Sequence, residues 1–262
     1  MGPLSRAIEL SIRAFACFLL LAVVAAVGVS KTTLPGFAPA STSLAAPLVA
    51  TTRTRSISST VTASSWFGGD GTNRKDPQVL VRQGMDVFRQ GDVQGSIKYF
   101  DKALAIGGAV IEPYLWQRGL SLYYAGKYKE GADQFRKDVA VNPADTEESI
   151  WAFLCEAQLD GFEKARKQML VVQTDPRPYM RRAYELFRGK CTEEDLAKEG
   201  ATPASPAAFY ALLYLGLYAE AKGEGDKARN YIQASVATPY GKAGRDYMTS
   251  LARVHLSVRG WV

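Results

Sequence analysis

The feature that most constrains this chain is a spacing. Gln83-Gly84 returns as Arg118-Gly119, 35 positions later, and Gly91-Asp92-Val93 returns at the same interval as Gly126-Lys127-Tyr128. Phe100 and Phe135 keep that interval, as do Asp101-Lys102-Ala103 and Arg136-Lys137-Asp138. A period of this size is one supersecondary unit repeated, and the texture from Asp76 onward is helical. A helix pair cannot bury its apolar face alone, so neighbouring pairs stack and share a core. The expected fold class is therefore all-α, an α-solenoid of stacked antiparallel helix pairs with a capping helix at the C-terminus.

The unit resembles the tetratricopeptide repeat (TPR). That family carries a small residue in the first helix, a glycine-rich turn, a small residue and an aromatic in the second helix, then alanine and proline. Residues 77–110 supply Gly84, Gly91, Ser96, Phe100 and Ala103. Residues 112–145 supply Gly119, Gly126, Gly131, Phe135 and Pro143, with Asp138 where alanine is expected. Residues 146–176 supply Ala165, Met169 and Pro176, but Phe153 replaces the glycine and makes this unit degenerate. Residues 209–239 supply Gly216, Gly223, Ala228, Ile232 and Pro239. Small residues let two helices approach, the turn glycine allows a tight reversal, and the proline stops the second helix.

Residues 177–200 break the period. They read as a short helix, a turn at Gly189 and a second helix capped by Thr192, with Asp195 completing a near match to a capping box. A last helix is expected over 243–258, closing the stack. This order of parts is similar to the NlpI-type TPR lipoprotein adaptors of bacterial envelopes, over roughly residues 77–258. The resemblance implies an adaptor that brings an enzyme to its substrate. Lipid anchoring does not carry over, because Cys17 lies near the start of the apolar run rather than after it.

The N-terminal part has another composition. Ala14 to Val29 is an unbroken apolar run of 16 residues. That suits a signal-peptide core and is short for a membrane span of about 20 residues, although an uncleaved anchor is the alternative. Residues 31–66 are crowded with Ser and Thr, carry Lys31, Arg53 and Arg55, and hold no acid. Such a segment reads as a transit peptide, or more blandly as a disordered linker. Between the two, Pro35-Gly36-Phe37-Ala38-Pro39 resembles the junction of bipartite plastid-targeting leaders in algae with secondary plastids, with Phe37 in the place of the key phenylalanine. The expected organisation is a signal peptide at 1–30, a transit-like leader at 31–66, a flexible joint at 67–76 and the helical domain at 77–262. The expected location is a plastid, the alternative being secretion or an endomembrane lumen.

Charge and residue types narrow the function. The formal net charge is +6, but residues 1–66 carry five bases against Glu9 alone, and the remainder has 27 bases against 25 acids. The folded part is nearly balanced, which argues against nucleic-acid binding. Three cysteines (Cys17, Cys155, Cys191) make no disulfide framework, and the single histidine, His255, leaves no material for a histidine metal cluster or a Ser/His/Asp triad. The three Gly-Lys pairs, at Gly126, Gly189 and Gly241, are preceded five residues earlier by Ser121, Tyr184 and Val236, so none makes a phosphate loop. Glu147-Glu148 and Glu193-Glu194-Asp195 sit at helix starts, where the helix dipole favours acids. No catalytic residue, metal site or cofactor is expected.

What remains is a binding surface. The TPR resemblance implies that the first helix of each pair lines a concave groove. In the first unit this gives Gln78, Val81, Met85, Phe88 and Arg89; in the second, Pro113, Trp116, Leu120, Tyr123 and Tyr124. The third offers Leu154 and Gln158, and the fourth Tyr210, Leu213 and Leu217. Aromatics and arginine are typical binding anchors, although such residues also pack against neighbouring helices. Val81 and Met85 stand where the chaperone-tail members of the family hold a carboxylate clamp, so that activity is not expected. The expected function is a protein-binding adaptor or assembly factor. The alternative is a constitutive structural subunit of a large complex, a photosynthetic membrane complex being one example, with peripheral association.

Overall fold

The computed structural model describes residues 76–262, and the targeting expectations for the leader lie outside them. The described residues are all-α: twelve α-helices and one short 3-10 turn, with no strand. The helices are α1 (Pro77–Arg89), α2 (Val93–Ile111), α3 (Trp116–Tyr124), α4 (Tyr128–Val141), α5 (Thr146–Asp160), α6 (Phe162–Gln168), α7 (Pro178–Phe187), α8 (Glu193–Glu199), α9 (Pro206–Ala221), α10 (Gly225–Ala237), α11 (Pro239–Ala243) and α12 (Tyr247–Val258). Consecutive helices pack as pairs, α1 on α2, α3 on α4, α5 on α6, α7 on α8 and α9 on α10, and α2–α3 and α4–α5 join successive pairs. This is a helical-repeat fold.

The repeat is visible in packing as well as in spacing. A β-carbon on Gly84 would stand 2.7 Å from the Phe100 ring, one on Gly119 2.7 Å from the Phe135 ring, and one on Gly216 2.5 Å from Ile232. The same close approach thus recurs in three pairs. The partner side chains Phe100, Phe135 and Ile232 are all fully buried. At the reversal between α3 and α4, Gly126 takes φ 75°, a left-handed conformation that side-chain-bearing residues rarely adopt.

The third unit departs from its neighbours for a physical reason. Phe153 fills the place of the glycine and is itself fully buried, edge-on to Phe162 and Phe187 at 5.4 and 5.2 Å. A second helix cannot lie against a phenylalanine at glycine distance, and α6 has only Ala165 buried. The helix expected to run to Pro176 therefore ends at Gln168. The chain continues without helix to Arg177, tied down by Gln173 N–H donating to Pro143 O (2.8 Å) and by the Tyr184 hydroxyl, which donates to Leu170 O and accepts from Val172 N–H (both 3.1 Å). The off-period segment matches its reading, with α7 and α8 joined through Gly189 and a full capping box between Thr192 and Asp195. The last helix starts later than expected, at Tyr247, because Gly244 turns left-handed (φ 60°) and Asp246 caps α12 by accepting from Thr249 N–H.

The core is one cluster running from Phe88 to Leu256, with a smaller one (Leu80, Val81, Phe100, Ala103, Leu115) under the first pair and Met85 touching both. Helix α12 packs on α10 and also on α1. The end of the stack thus returns to its beginning.

Candidate functional site

The return of α12 decides what the inner face looks like. Tyr247 and His255 of α12, with Asp246 at its cap, meet Phe88, Trp116, Tyr124 and Tyr210, all of them residues expected to line the groove. Tyr247 stacks on Phe88 (centroids 5.4 Å, interplanar 19°), meets Trp116 edge-on (5.4 Å, 88°), and lies under the Arg89 guanidinium at 5.2 Å. Two turns on, the hydroxyl of Tyr124 is 3.1 Å from His255 Nδ1. Beyond the helix end, Arg259 pairs with Glu220 of α9 and lies over the rings of Tyr123 (5.8 Å) and Tyr124 (5.9 Å). At the other end of α12, Asp246 Oδ2 accepts from the hydroxyls of Tyr210 (2.9 Å) and Tyr240 (2.6 Å).

Of the residues expected in the groove, Phe88, Leu120, Tyr123, Tyr124, Leu154, Tyr210, Leu213 and Leu217 are buried. Met85 and Trp116 are half-buried, and Arg89 and Gln158 are exposed. Phe88, Tyr123 and Tyr124 meet one another, Tyr210 stacks separately on Tyr179, and the chain's own closing helix covers Phe88, Trp116 and Tyr124. Leu154, Leu213 and Leu217 lie in the shared core. The residues absent from the sequence reading are those that close the face: Tyr247, Arg259, Glu220 and Asp246. One sequence signal pointed to it. The α9 segment PAAFYALLYLGLYAEA is apolar on every side, and such a helix has to be enclosed by others.

The electrostatics of the closure are those of a low-dielectric interior. Burial pushes the Tyr123 and Tyr124 hydroxyls well above their ordinary range, so both stay neutral donors. His255 is pulled down to about 4, chiefly by burial. The Glu220 carboxylate, 3.5 Å from Nε2, works against that shift, and Arg259 adds to it. Burial wins, and His255 is neutral with Nδ1 placed to accept from Tyr124 when Nε2 carries the proton.

Two further polar groups lie in the stack. Arg177 bridges Glu147 (2.7 Å) and Asp175 (2.8 Å), while Glu147 also accepts from the Tyr214 hydroxyl at 2.8 Å. Burial still raises Glu147, the nearby guanidinium notwithstanding. Asp138, Asp145 and Glu148 form an acidic group in which burial, then Asp145, pushes Asp138 up to about 8 and burial also raises Glu148. Neither group carries a nucleophile. Burial raises the Cys155 thiol far from thiolate formation, and Cys191 is raised by the same cause.

Among the described residues no helix is long and apolar enough to cross a membrane. No protein-family model matches the chain.

Proposed function

We propose that this chain is a non-enzymatic, TPR-type adaptor or assembly factor that takes a helical segment of a partner protein against its inner face. The observation that carries this reading is the seating of α12. The face holds an amphipathic helix through one inserted aromatic, Tyr247, and polar ties at both ends. A surface with that geometry suits helix-in-groove recognition. The recurring glycine-to-large-side-chain packing in three pairs supports the TPR assignment.

A partner helix would compete with α12, and that sets the test. Tyr247→Ala loosens the closing helix and leaves the wall intact; Trp116→Ala removes a half-exposed ring from the wall. In pull-downs from plastid extract, Tyr247→Ala is expected to recover more of the partner than wild type. Trp116→Ala is expected to lose about 2 kcal/mol of binding, roughly thirty-fold. Identical recovery by both variants and wild type would end the groove reading. It would favour a constitutive structural subunit attached through its outer face, a reading that the filled inner face also supports.

The compartment we propose is a plastid, reached through the 1–30 signal and the 31–66 transit-like leader. The mature chain is expected to begin between about residue 60 and residue 75, by the composition argument above. N-terminal sequencing of the native protein checks this, and a start near Lys31 would refute plastid import.

A further inference from the structure

Among the described residues, the buried acids outside one group are matched with arginine. Glu147 and Asp175 share Arg177, Glu156 pairs with Arg136 at 2.5 Å, and Glu220 takes Arg259. One group breaks the rule. Asp138 in the last turns of α4, Asp145 at the cap of α5 and Glu148 in the first turn of α5 each bring a carboxylate oxygen within 4.8 Å of the others. Among the described residues no lysine, arginine or histidine forms an ion pair with any of the three. Asp138 is 4% exposed and Glu148 7%. Asp138 Oδ2 and Glu148 Oε2 are buried with no hydrogen-bond partner at all. The helix end answers only part of this, because its N–H of Glu147 donates to Asp145 (3.2 Å), as does Asn142 Nδ2 (2.9 Å).

Two orphaned, buried carboxylate oxygens facing a third acid are what an oxygen-ligated cation requires. We propose that Asp138, Asp145 and Glu148 bind one divalent cation of the calcium class, and that this ion joins the second helix pair to the third. The ligand type favours calcium over magnesium: calcium accepts irregular carboxylate geometry, whereas magnesium demands near-ideal octahedral geometry and gives up its water reluctantly, and these three acids are placed by two packed helices. Asp145 is half-exposed, so water reaches the remaining coordination positions from its side. The site also accounts for a departure from the repeat. Asp138 follows Phe135 by three positions, and the residues three positions after Phe100 and Ile232 are the fully buried Ala103 and Ser235. A small residue is the packing solution at that place, and an acid there calls for a neutralising partner.

The test uses the full chain, stripped with chelator and dialysed, and titrated separately with CaCl2, MgCl2 and MnCl2. Calorimetry is expected to show one calcium ion bound per chain, with magnesium weaker, and calcium is expected to raise the melting temperature reversibly with EDTA. Asp138→Asn and Glu148→Gln keep shape and remove charge. Each is expected to weaken calcium binding at least about tenfold, since disturbing even a supporting group around a metal costs that much, while Glu163→Gln, an exposed control, leaves it unchanged. Should Asp138→Asn fail to fold, Glu148→Gln carries the comparison. Two results would overturn the proposal. One is calcium binding by both variants as strong as that of wild type. The other is no response of wild type to millimolar calcium, magnesium or manganese; Glu148→Gln more stable than wild type would then mean that a shared proton alone settles the cluster.

Discussion

Replacing Phe135 with alanine is expected to cost the fold about 3–5 kcal/mol, the range for removing a buried phenylalanine from a tight core. The ring is fully buried, lies against Gly119 on the paired helix, and stacks on Trp151 of the next pair at 6.3 Å and 25°. It therefore touches both the packing within its own unit and the junction to the following one. Gly119→Ala tests the contact from the other side. Alanine brings about 1 kcal/mol of helix propensity, but its β-carbon would stand 2.7 Å from the ring of Phe135, a rigid neighbour. Overpacking of that kind costs about 1–3 kcal/mol, so a modest net loss is expected. In the double variant the added methyl occupies part of the space that the ring has left. The combined cost should then fall short of the sum by about 1 kcal/mol or more, a coupling typical of residues in contact. Urea unfolding of the four proteins at 25 °C gives the cycle. Additivity to within about 0.5 kcal/mol would show that glycine and ring are not the packing pair that sets the repeat.

That pair is also where the sequence was most readable. A glycine and a large side chain 16 positions apart recur as Gly84 and Phe100, Gly119 and Phe135, and Gly216 and Ile232, and each recurrence marks a real helix pair. Local chemistry was equally legible. The Thr192–Asp195 capping box and the turn at Gly189 depend on neighbours a few residues away, so spacing alone specifies them. The proline signal fails in the third unit. Pro176 terminates nothing, because residues 163–168 offer almost no apolar face to hold a helix, and α6 stops at Gln168 before the proline is reached. The repeat pattern supplies an end point only when the second helix has something to pack against, and Phe153 had already taken that space.

For the inner face, the repeat offers a set of candidate residues and says nothing of what covers them. Phe88, Trp116, Tyr123 and Tyr124 share one surface because they recur on the first helices of successive pairs. What covers that surface comes from the far end of the chain, and no local pattern links Tyr247 to Phe88 or Arg259 to Glu220. The buried residues of α12 (Tyr247, Met248, Leu251, Ala252, Val254, His255) form a broad apolar stripe that needs a partner surface, but periodicity does not say which. The acidic group was hidden for a related reason. Glu148 and Asp145 look like ordinary acids at a helix start until Asp138 arrives from the preceding helix.

The closure by α12 is expected to weaken in acid, and His255 is the group responsible. It is fully buried and neutral, with its pKa pulled to about 4 from an ordinary 6.5. The sign follows from which state holds more protons. Between pH 6.5 and pH 4 the unfolded chain carries a protonated histidine while the folded chain does not, so stability falls as pH falls through that window. The full shift corresponds to about 3 kcal/mol, at 1.36 kcal/mol per pH unit, and to a drop in melting temperature on the order of 10 °C for a domain of this size. Three groups face the imidazole: the Glu220 carboxylate from α9, which would welcome a proton; Arg259 past the end of α12, which opposes one; and the Tyr124 hydroxyl from α3, which donates to Nδ1 and would lose its acceptor. His255→Gln keeps a neutral acceptor for Tyr124 and removes the titration. Raised acids such as Glu147 and Glu156 push stability the other way on acidification, since their folded forms bind protons more readily. The difference between wild type and His255→Gln cancels them. Melting temperatures measured from pH 7 to pH 4 are expected to converge or cross, with wild type losing more by about 3 kcal/mol. Parallel curves would mean that His255 is solvated or charged in the fold, and that Glu220, rather than burial, sets its protonation.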